Sequence, residues 1–177
     1  MAMTVQELIQ ACGIQEYKGN QIMVDKVKAG GHLEEIKARK EEILSYFATQ
    51  RKIAESARKE REAKINAIEG LQAIYKAMGA EADYHVAFNR MMESEGQSGN
   101  GALLPSLPEV SSKDLKAQYP RAAAYIKAEG YSLANNHAKA SAGKKALERI
   151  INGEDHEKVL VGMEAEWSAH CEEHIWD

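Results

Sequence analysis

The chain is poor in the residues that small proteins use to restrain or specialise themselves. Its 177 residues include only two cysteines and three prolines, and aromatic residues make up 6%. Cys12 and Cys171 stand almost a chain length apart, which excludes a disulfide framework and predicts a reducing, cytoplasmic setting. No apolar run approaches the roughly 20 residues of a membrane span, and the first residues lack the basic-then-apolar pattern of a secretory signal. With only two phenylalanines, the core must be built from small and aliphatic side chains. That suits close-packed helices better than a β-sandwich.

Motifs of chemistry are equally scarce. Residues 96–101 are glycine-rich but carry no G-K-[ST], so they do not form a phosphate loop. Ser98 and Ser106 lack the context of a nucleophile elbow. No two carboxylates are spaced so as to face each other across a cleft. These absences predict a protein that is not an enzyme and needs no cofactor.

What is present is a globular balance, 44% hydrophobic and 28% charged. The net charge of −4 gives no global case for nucleic-acid binding, but it is unevenly spread. Residues 154–177 hold eight acidic residues against one lysine, so the rest of the chain carries a net +3. A mildly basic body with an acidic tail can steer a charged partner, or be two solvated faces.

Thr4-Val5-Gln6-Glu7 reads as a capping box opening a first helix, with Val5, Leu8, Ile9 and Cys12 on one face and Gly13 as its stop. Asn20 then caps a predicted second short helix carrying Ile22, Met23 and Val27, ended by Gly30-Gly31. A hairpin over residues 14–24, turning at Lys18-Gly19-Asn20, is the alternative.

Residues 32–78 contain no proline and a single glycine, Gly70. Leu33, Ile36, Ile43, Phe47, Ala54, Ala57, Ile68, Leu71, Tyr75 and Met78 follow a 3-4 alternation, interrupted at Lys40, Gln50, Arg61 and Lys64. This predicts one long central helix of about 70 Å, with an apolar seam at both ends and a charged middle. Such a length must pack its ends against another part of the chain or a second copy, and self-association, most simply a two-fold homodimer, is expected. A further helix follows Gly79, over about 81–93.

Residues 95–111, with two of the three prolines, predict a linker whose Leu103, Leu104 and Leu107 could dock on a helix groove. Ser112 is expected to cap a C-terminal helical bundle, with Pro120 in the first turn of its main helix. A helix over 133–151 stopped by Asn152-Gly153 and a last helix from Glu154 or Asp155 follow. The expectation is an all-α fold in two domains, 1–94 and 112–177.

Three places could carry function. The middle of the long helix presents Arg51, Lys52, Arg58, Lys59, Arg61 and Lys64 against three glutamates. It is either a solvated bridge or a surface for phosphates or an acidic partner. His170-Cys171-Glu172-Glu173-His174 matches the H-x-x-E-H string of one class of zinc proteases. On a helix His170 and His174 lie one turn apart, and Glu166 one turn earlier could add an oxygen ligand. Only three residues follow His174, which leaves no room for the downstream ligand those enzymes use. Residues 4–30, with Lys26 and Lys28, invite a helix-turn-helix reading and a DNA-binding regulator. The interval from Gly13 to Asn20 is long for the usual turn.

Three stretches of the last third carry a resemblance: Tyr119-Pro120-Arg121-Ala122-Ala123-Ala124-Tyr125-Ile126-Lys127-Ala128-Glu129, the run from Ala146-Leu147-Glu148-Arg149 to Glu154-Asp155, and Glu164-Ala165-Glu166-Trp167. They resemble small helical proteins of phages and mobile elements of gut bacteria, a family without an assigned activity. The resemblance implies a setting of accessory genes. Small helical proteins there include inhibitors of host defence, among them anti-CRISPR proteins that block Cas9-type nucleases, as well as transcriptional regulators and structural adaptors. The leading expectation is therefore an interaction protein that inhibits a host nuclease. Its basic stretch would meet guide-RNA or DNA phosphates, or its acidic tail would occupy a nucleic-acid channel.

Overall fold

The structure is a computed structural model that describes residues 3–94 and 105–173. Among the described residues the fold is all-α apart from one two-stranded antiparallel sheet. No described helix is long and apolar enough to cross a membrane. The chain divides into two compact units, Met1–Glu60 and Arg61–Asp177. The division falls inside a helix and not in the proline-containing stretch 95–111, of which 95–104, with Leu103 and Leu104, lie outside the described residues.

Unit 1 opens with α1, Val5–Cys12. Its first turn is closed reciprocally: the Thr4 hydroxyl accepts from the Glu7 N–H at 3.2 Å, and Glu7 Oε2 accepts from the Thr4 N–H at 2.8 Å. Gly13, at φ +60°, ends the helix in the left-handed conformation that costs glycine least.

The helix expected after Asn20 is replaced by the alternative hairpin. Strands β1, Gln15–Tyr17, and β2, Gln21–Met23, pair with Glu16 opposite Ile22. The reason lies in the turn. Lys18 and Gly19 both have positive φ, 51° and 75°, which reverses the chain before a helix can start. The cap residue is instead Asp25, whose Oδ1 accepts from the N–H groups of Val27 and Lys28 at the start of α2, Lys26–Ala29. A 3-10 turn at Gly30–His32 leads into α3, Leu33–Ala38.

The single helix predicted over 32–78 is three helices. The first break is at Arg39, whose backbone leaves helical geometry (φ −104°, ψ 18°). Its guanidinium donates to the Met3 carbonyl at 2.7 Å and pairs with Glu35 and Glu42, so the break brings the N-terminal stretch of chain against α3. α4 then runs Lys40–Asn66, and α5 runs Leu71–Ser94, absorbing the helix expected over 81–93. Between them Gly70 sits at φ +78°. The core of unit 1 gathers Leu8, Cys12, Ile14, Ala29, Ile36 and Ile43, with Phe47 and Ile22 at its edge. Each large aliphatic side chain among them contributes about 1.5–3 kcal/mol on burial.

Unit 2 is a helical bundle. α6 spans Ser112–Gln118, α7 Pro120–Ser132, α8 His137–Ile151 and α9 His156–Glu173. Pro120 opens α7 as expected, because its missing N–H is one the first turn does not need. Ser111, one residue before the expected cap, accepts from the Asp114 N–H at 3.1 Å. Asn136 caps α8, which therefore starts four residues later than the predicted 133.

Small residues set the helix spacing in this unit. Ala122, Ala124 and Ala128 of α7 meet Ala142 and Ala146 of α8 in the core, closed by Leu71, Ile74, Ile150, Val159 and Met163. At Gly143 α8 comes up against the backbone of α7: a Cβ there would lie 2.3 Å from the Ser132 nitrogen. Two polar ties hold α5 in place. Tyr75 donates its hydroxyl to the Glu129 carboxylate. Burial first, and then that bond, push the Tyr75 phenol well above its ordinary pKa. Glu81 accepts from the Ser112 hydroxyl at 2.6 Å and from the Ser112 N–H at 2.7 Å, so α5 caps α6. Those bonds, the hydroxyl's first, hold the Glu81 carboxyl below the ordinary carboxylate range.

Candidate functional site

The basic stretch of α4 is helical because nothing in it opposes a helix: residues 49–64 contain no glycine or proline and are rich in Ala, Arg, Lys and Glu. Within unit 1 every residue from 49 to 60 is exposed, on all faces of the helix. This segment carries Arg51, Lys52, Arg58 and Lys59 against Glu55 and Glu60. At about 100° per residue, Arg51, Glu55 and Arg58 share one side, with Lys52 and Lys59 beside them. Ile53 and Ala57 lie on the other, and Ala54 borders Arg51 and Arg58.

The six cations expected to form one surface do not act alike. Arg51 reaches the hairpin: its Nη2 lies 3.4 Å from the Gly19 carbonyl and 3.2 Å from Glu16 Oε1. The approach to Glu16 lacks hydrogen-bond alignment, so the buried Oε1 is held by charge alone. Lys59 pairs with Glu55 one turn earlier at 2.8 Å, an exposed pair worth about 0.3–0.5 kcal/mol. Arg58 also has a partner of its own. Lys52 is exposed.

Arg61 and Lys64 belong to unit 2 and, though exposed, reach across to α8. Arg61 binds Glu148 of α8 at 2.9 Å, and Lys64 donates to Asn152 Oδ1 at 3.3 Å. These two cations fasten the last turns of α4 to α8. Lys52, Arg58 and Lys59 are exposed on the segment of α4 in unit 1, where Lys59 pairs within its own helix.

The acidic α9 is similarly engaged. Glu154 pairs with Arg149 at 2.8 Å, Glu164 with Lys127, and Glu166 with Lys145 at 2.5 Å. Asp155 accepts from the N–H groups of Lys158 and Glu157, and these bonds, the one from Lys158 foremost, lower its pKa. Two of the eight acidic residues counted in the tail, Glu164 and Glu166, thus tie α9 to α7 and α8.

Of the predicted metal ligands, Glu166 is in that ion pair with Lys145, and the His170 ring lies 5.8 Å from the Trp167 ring. His174 lies outside the described residues. Among the described residues no group of three His, Cys, Asp or Glu side chains converges as a metal site would require. The helix-turn-helix reading meets the hairpin: β1 and β2 separate α1 from α2, and α2, at four residues, is too short for a recognition helix.

One feature of unit 1 escaped the sequence reading. A cavity of about 420 Å³ opens between β2 and α3. Ile22, Val24, Leu33 and Ile36 form its floor, and Gln21, Lys37 and Lys40 its rim. Reading residues 20–29 as a helix hid it, because the floor exists only when Ile22 stands in β2, with Val24 just after it, facing α3.

The described elements define the class as a small helical protein with two cores and a short hairpin insert. No family model, curated protein or solved structure matches the chain.

Proposed function

We propose that the chain is a non-enzymatic interaction protein of a phage or mobile element that binds a nucleic-acid-bearing partner. By the resemblance of its last third, that partner is a guide-RNA-loaded nuclease of the Cas9 type, which the protein inhibits. The observation that supports this reading is the exposed stretch of α4, residues 49–60, which carries four cations and two carboxylates and buries no side chain. Lys52 and Lys59 stand two turns apart, about 10 Å along the axis, with Arg58 beside them. Phosphates of a bound nucleic acid complement that array and release counterions on binding.

The test is retrieval of purified Cas9-type nuclease, with and without guide RNA, by the full chain, together with a DNA-cleavage assay. Retrieval that requires the guide RNA, and loss of cleavage at stoichiometric protein, are the expected results. The combined Lys52→Glu, Arg58→Glu and Lys59→Glu variant should weaken retrieval steeply and flatten its salt dependence, the slope falling by about 0.7–0.9 for each phosphate no longer neutralised. Absence of retrieval and of inhibition removes the reading. Self-association belongs to the same reading, through the exposed Ile53 with Ala54 and Ala57. Light scattering that finds a monomer at high concentration removes that part alone.

A further inference from the structure

We infer that unit 1 carries a docking site for an extended, acidic segment of a partner protein, one in which aliphatic and carboxylate side chains alternate, laid along β2 in the groove beside α3. The groove shares no residue with the α4 surface at 49–60, so this inference stands without the reading above.

Three observations converge on that occupant. The floor is aliphatic: Ile22 and Val24 from the hairpin and Leu33 and Ile36 from α3, with Leu33 41% exposed although it faces a groove. Its volume of about 420 Å³ lies in the range of pockets that hold specific ligands. The rim is selective in charge. Glu34, Glu35, Glu41 and Glu42 all lie on the same stretch of chain, yet the charged residues that line the groove are Lys37 and Lys40 alone. Lys37 leans on Glu34 at 2.7 Å, but both side chains are highly exposed, so that pair is screened and readily exchanged for an incoming carboxylate.

The third observation selects an extended chain. β2 pairs with β1 along one edge only, and the sheet has two strands. The opposite edge of β2 makes no backbone hydrogen bond to any other described element. A free strand edge beside an apolar groove is the arrangement in which an extended peptide adds as a further strand. Main-chain bonds to β2 then supply affinity and alternate side chains enter the groove. Aliphatic residues fill the floor, and carboxylates at its margin meet Lys37 and Lys40.

The probe is a short capped peptide of alternating valine and glutamate, titrated into the full chain and followed by calorimetry and amide chemical shifts. Saturable one-to-one binding is expected, with shifts confined to residues 21–24 and 33–40. The double variant Lys37→Glu with Lys40→Glu should weaken it at least about tenfold, since each lysine is replaced by a repelling charge. Leu33→Glu should do the same by spoiling the floor. Both lysines are rim residues, so the double variant retains the fold even if Leu33→Glu does not, and circular dichroism checks each. Equal binding of a valine-lysine peptide overturns the proposal, as do binding indifferent to the lysine reversal, shifts elsewhere, or no saturable binding. Tighter binding of decanoate than of the peptide assigns the groove to a small amphiphile, and peptide-free self-association through the same residues assigns it to a second copy. Either result also overturns the proposal.

Discussion

The ring of Tyr119 fills the space that a side chain on Gly70 would need: a Cβ there would stand 2.2 Å from Tyr119 Cγ. Gly70 is also left-handed, at φ +78°. Gly70→Ala therefore combines left-handed strain of about 1 kcal/mol with overpacking of about 1–3 kcal/mol. Urea unfolding should show a loss of about 3 kcal/mol. Adding Tyr119→Ala makes room and should lower the cost of the glycine replacement, leaving only the backbone strain. Equal costs of Gly70→Ala in the two backgrounds would mean that the ring does not hold this turn.

Gly143→Ala tests the helix spacing of unit 2. Alanine is the better helix former by about 1 kcal/mol, so propensity alone predicts stabilisation. The added methyl would instead meet backbone atoms at the end of α7, the Ser132 nitrogen at 2.3 Å and the Ala128 oxygen at 2.8 Å. Backbone yields less readily than a side chain, and the expected result is a loss of about 3 kcal/mol. A raised thermal midpoint would refute the close approach of α7 and α8.

The bonds from Ser112 to Glu81 make a pH prediction. The Glu81 carboxyl titrates lower in the folded chain than in the unfolded one. Its contribution is fully present above the unfolded value of about 4.5 and is lost as pH falls through the lowered folded value. Stability measured by urea between about pH 6 and 3 should therefore fall less steeply for Glu81→Gln than for the parent chain. Parallel curves would show that this carboxylate is not the one that acid removes.

Arg51 and Glu16 form a coupled pair between α4 and the hairpin. Glu16 is 19% exposed in its side chain, so Arg51→Ala leaves its carboxylate partly buried without this counter-charge. The expected cost is about 1–2 kcal/mol. Glu16→Gln should recover part of that loss in the Arg51→Ala background, and a double-mutant cycle measures the coupling. Additive losses would mean that the two groups do not interact.

Arg61→Ala and Lys59→Ala separate packing from binding. Arg61 bonds Glu148, so its loss should lower stability by up to about 1 kcal/mol. Lys59 pairs locally with Glu55, and its removal should leave stability within about 0.5 kcal/mol while weakening any phosphate-bearing partner. If Arg61→Ala weakens such a partner more than Lys59→Ala does, the assignment of the open surface is reversed.

The features legible in the sequence were those written in consecutive residues. The Thr4–Glu7 box, the Gly13 stop, Pro120 at a first turn and the stop after Ile151 all need only neighbours, and all four stand in the structure. The hairpin was harder, because Lys18-Gly19-Asn20 serves a turn and a helix cap equally. With three residues per strand, each places one inward side chain, Glu16 or Ile22, too few to display a period of two. The breaks in the long helix depended on distant groups. Arg39 turns toward the Met3 carbonyl 36 residues away, and Gly70 is packed by Tyr119. The candidate site divides for the same reason. Nothing near Arg61 or Lys64 in sequence announces Glu148 and Asn152, 87 and 88 residues on, so all six cations looked alike.

The exposed stretch 49–60 of α4 has a consequence for how this protein can change over generations. No side chain there is buried, and Arg51 ties it to the hairpin. At Lys52 and Lys59 a lysine can become a glutamate at little cost to the fold. If α4 meets the proposed partner, substitutions at Lys52 and Lys59 would be filtered chiefly by that contact, since neither side chain is buried. An arms race with a changing partner would be recorded at these positions while the alanine-lined bundle of unit 2 stays fixed.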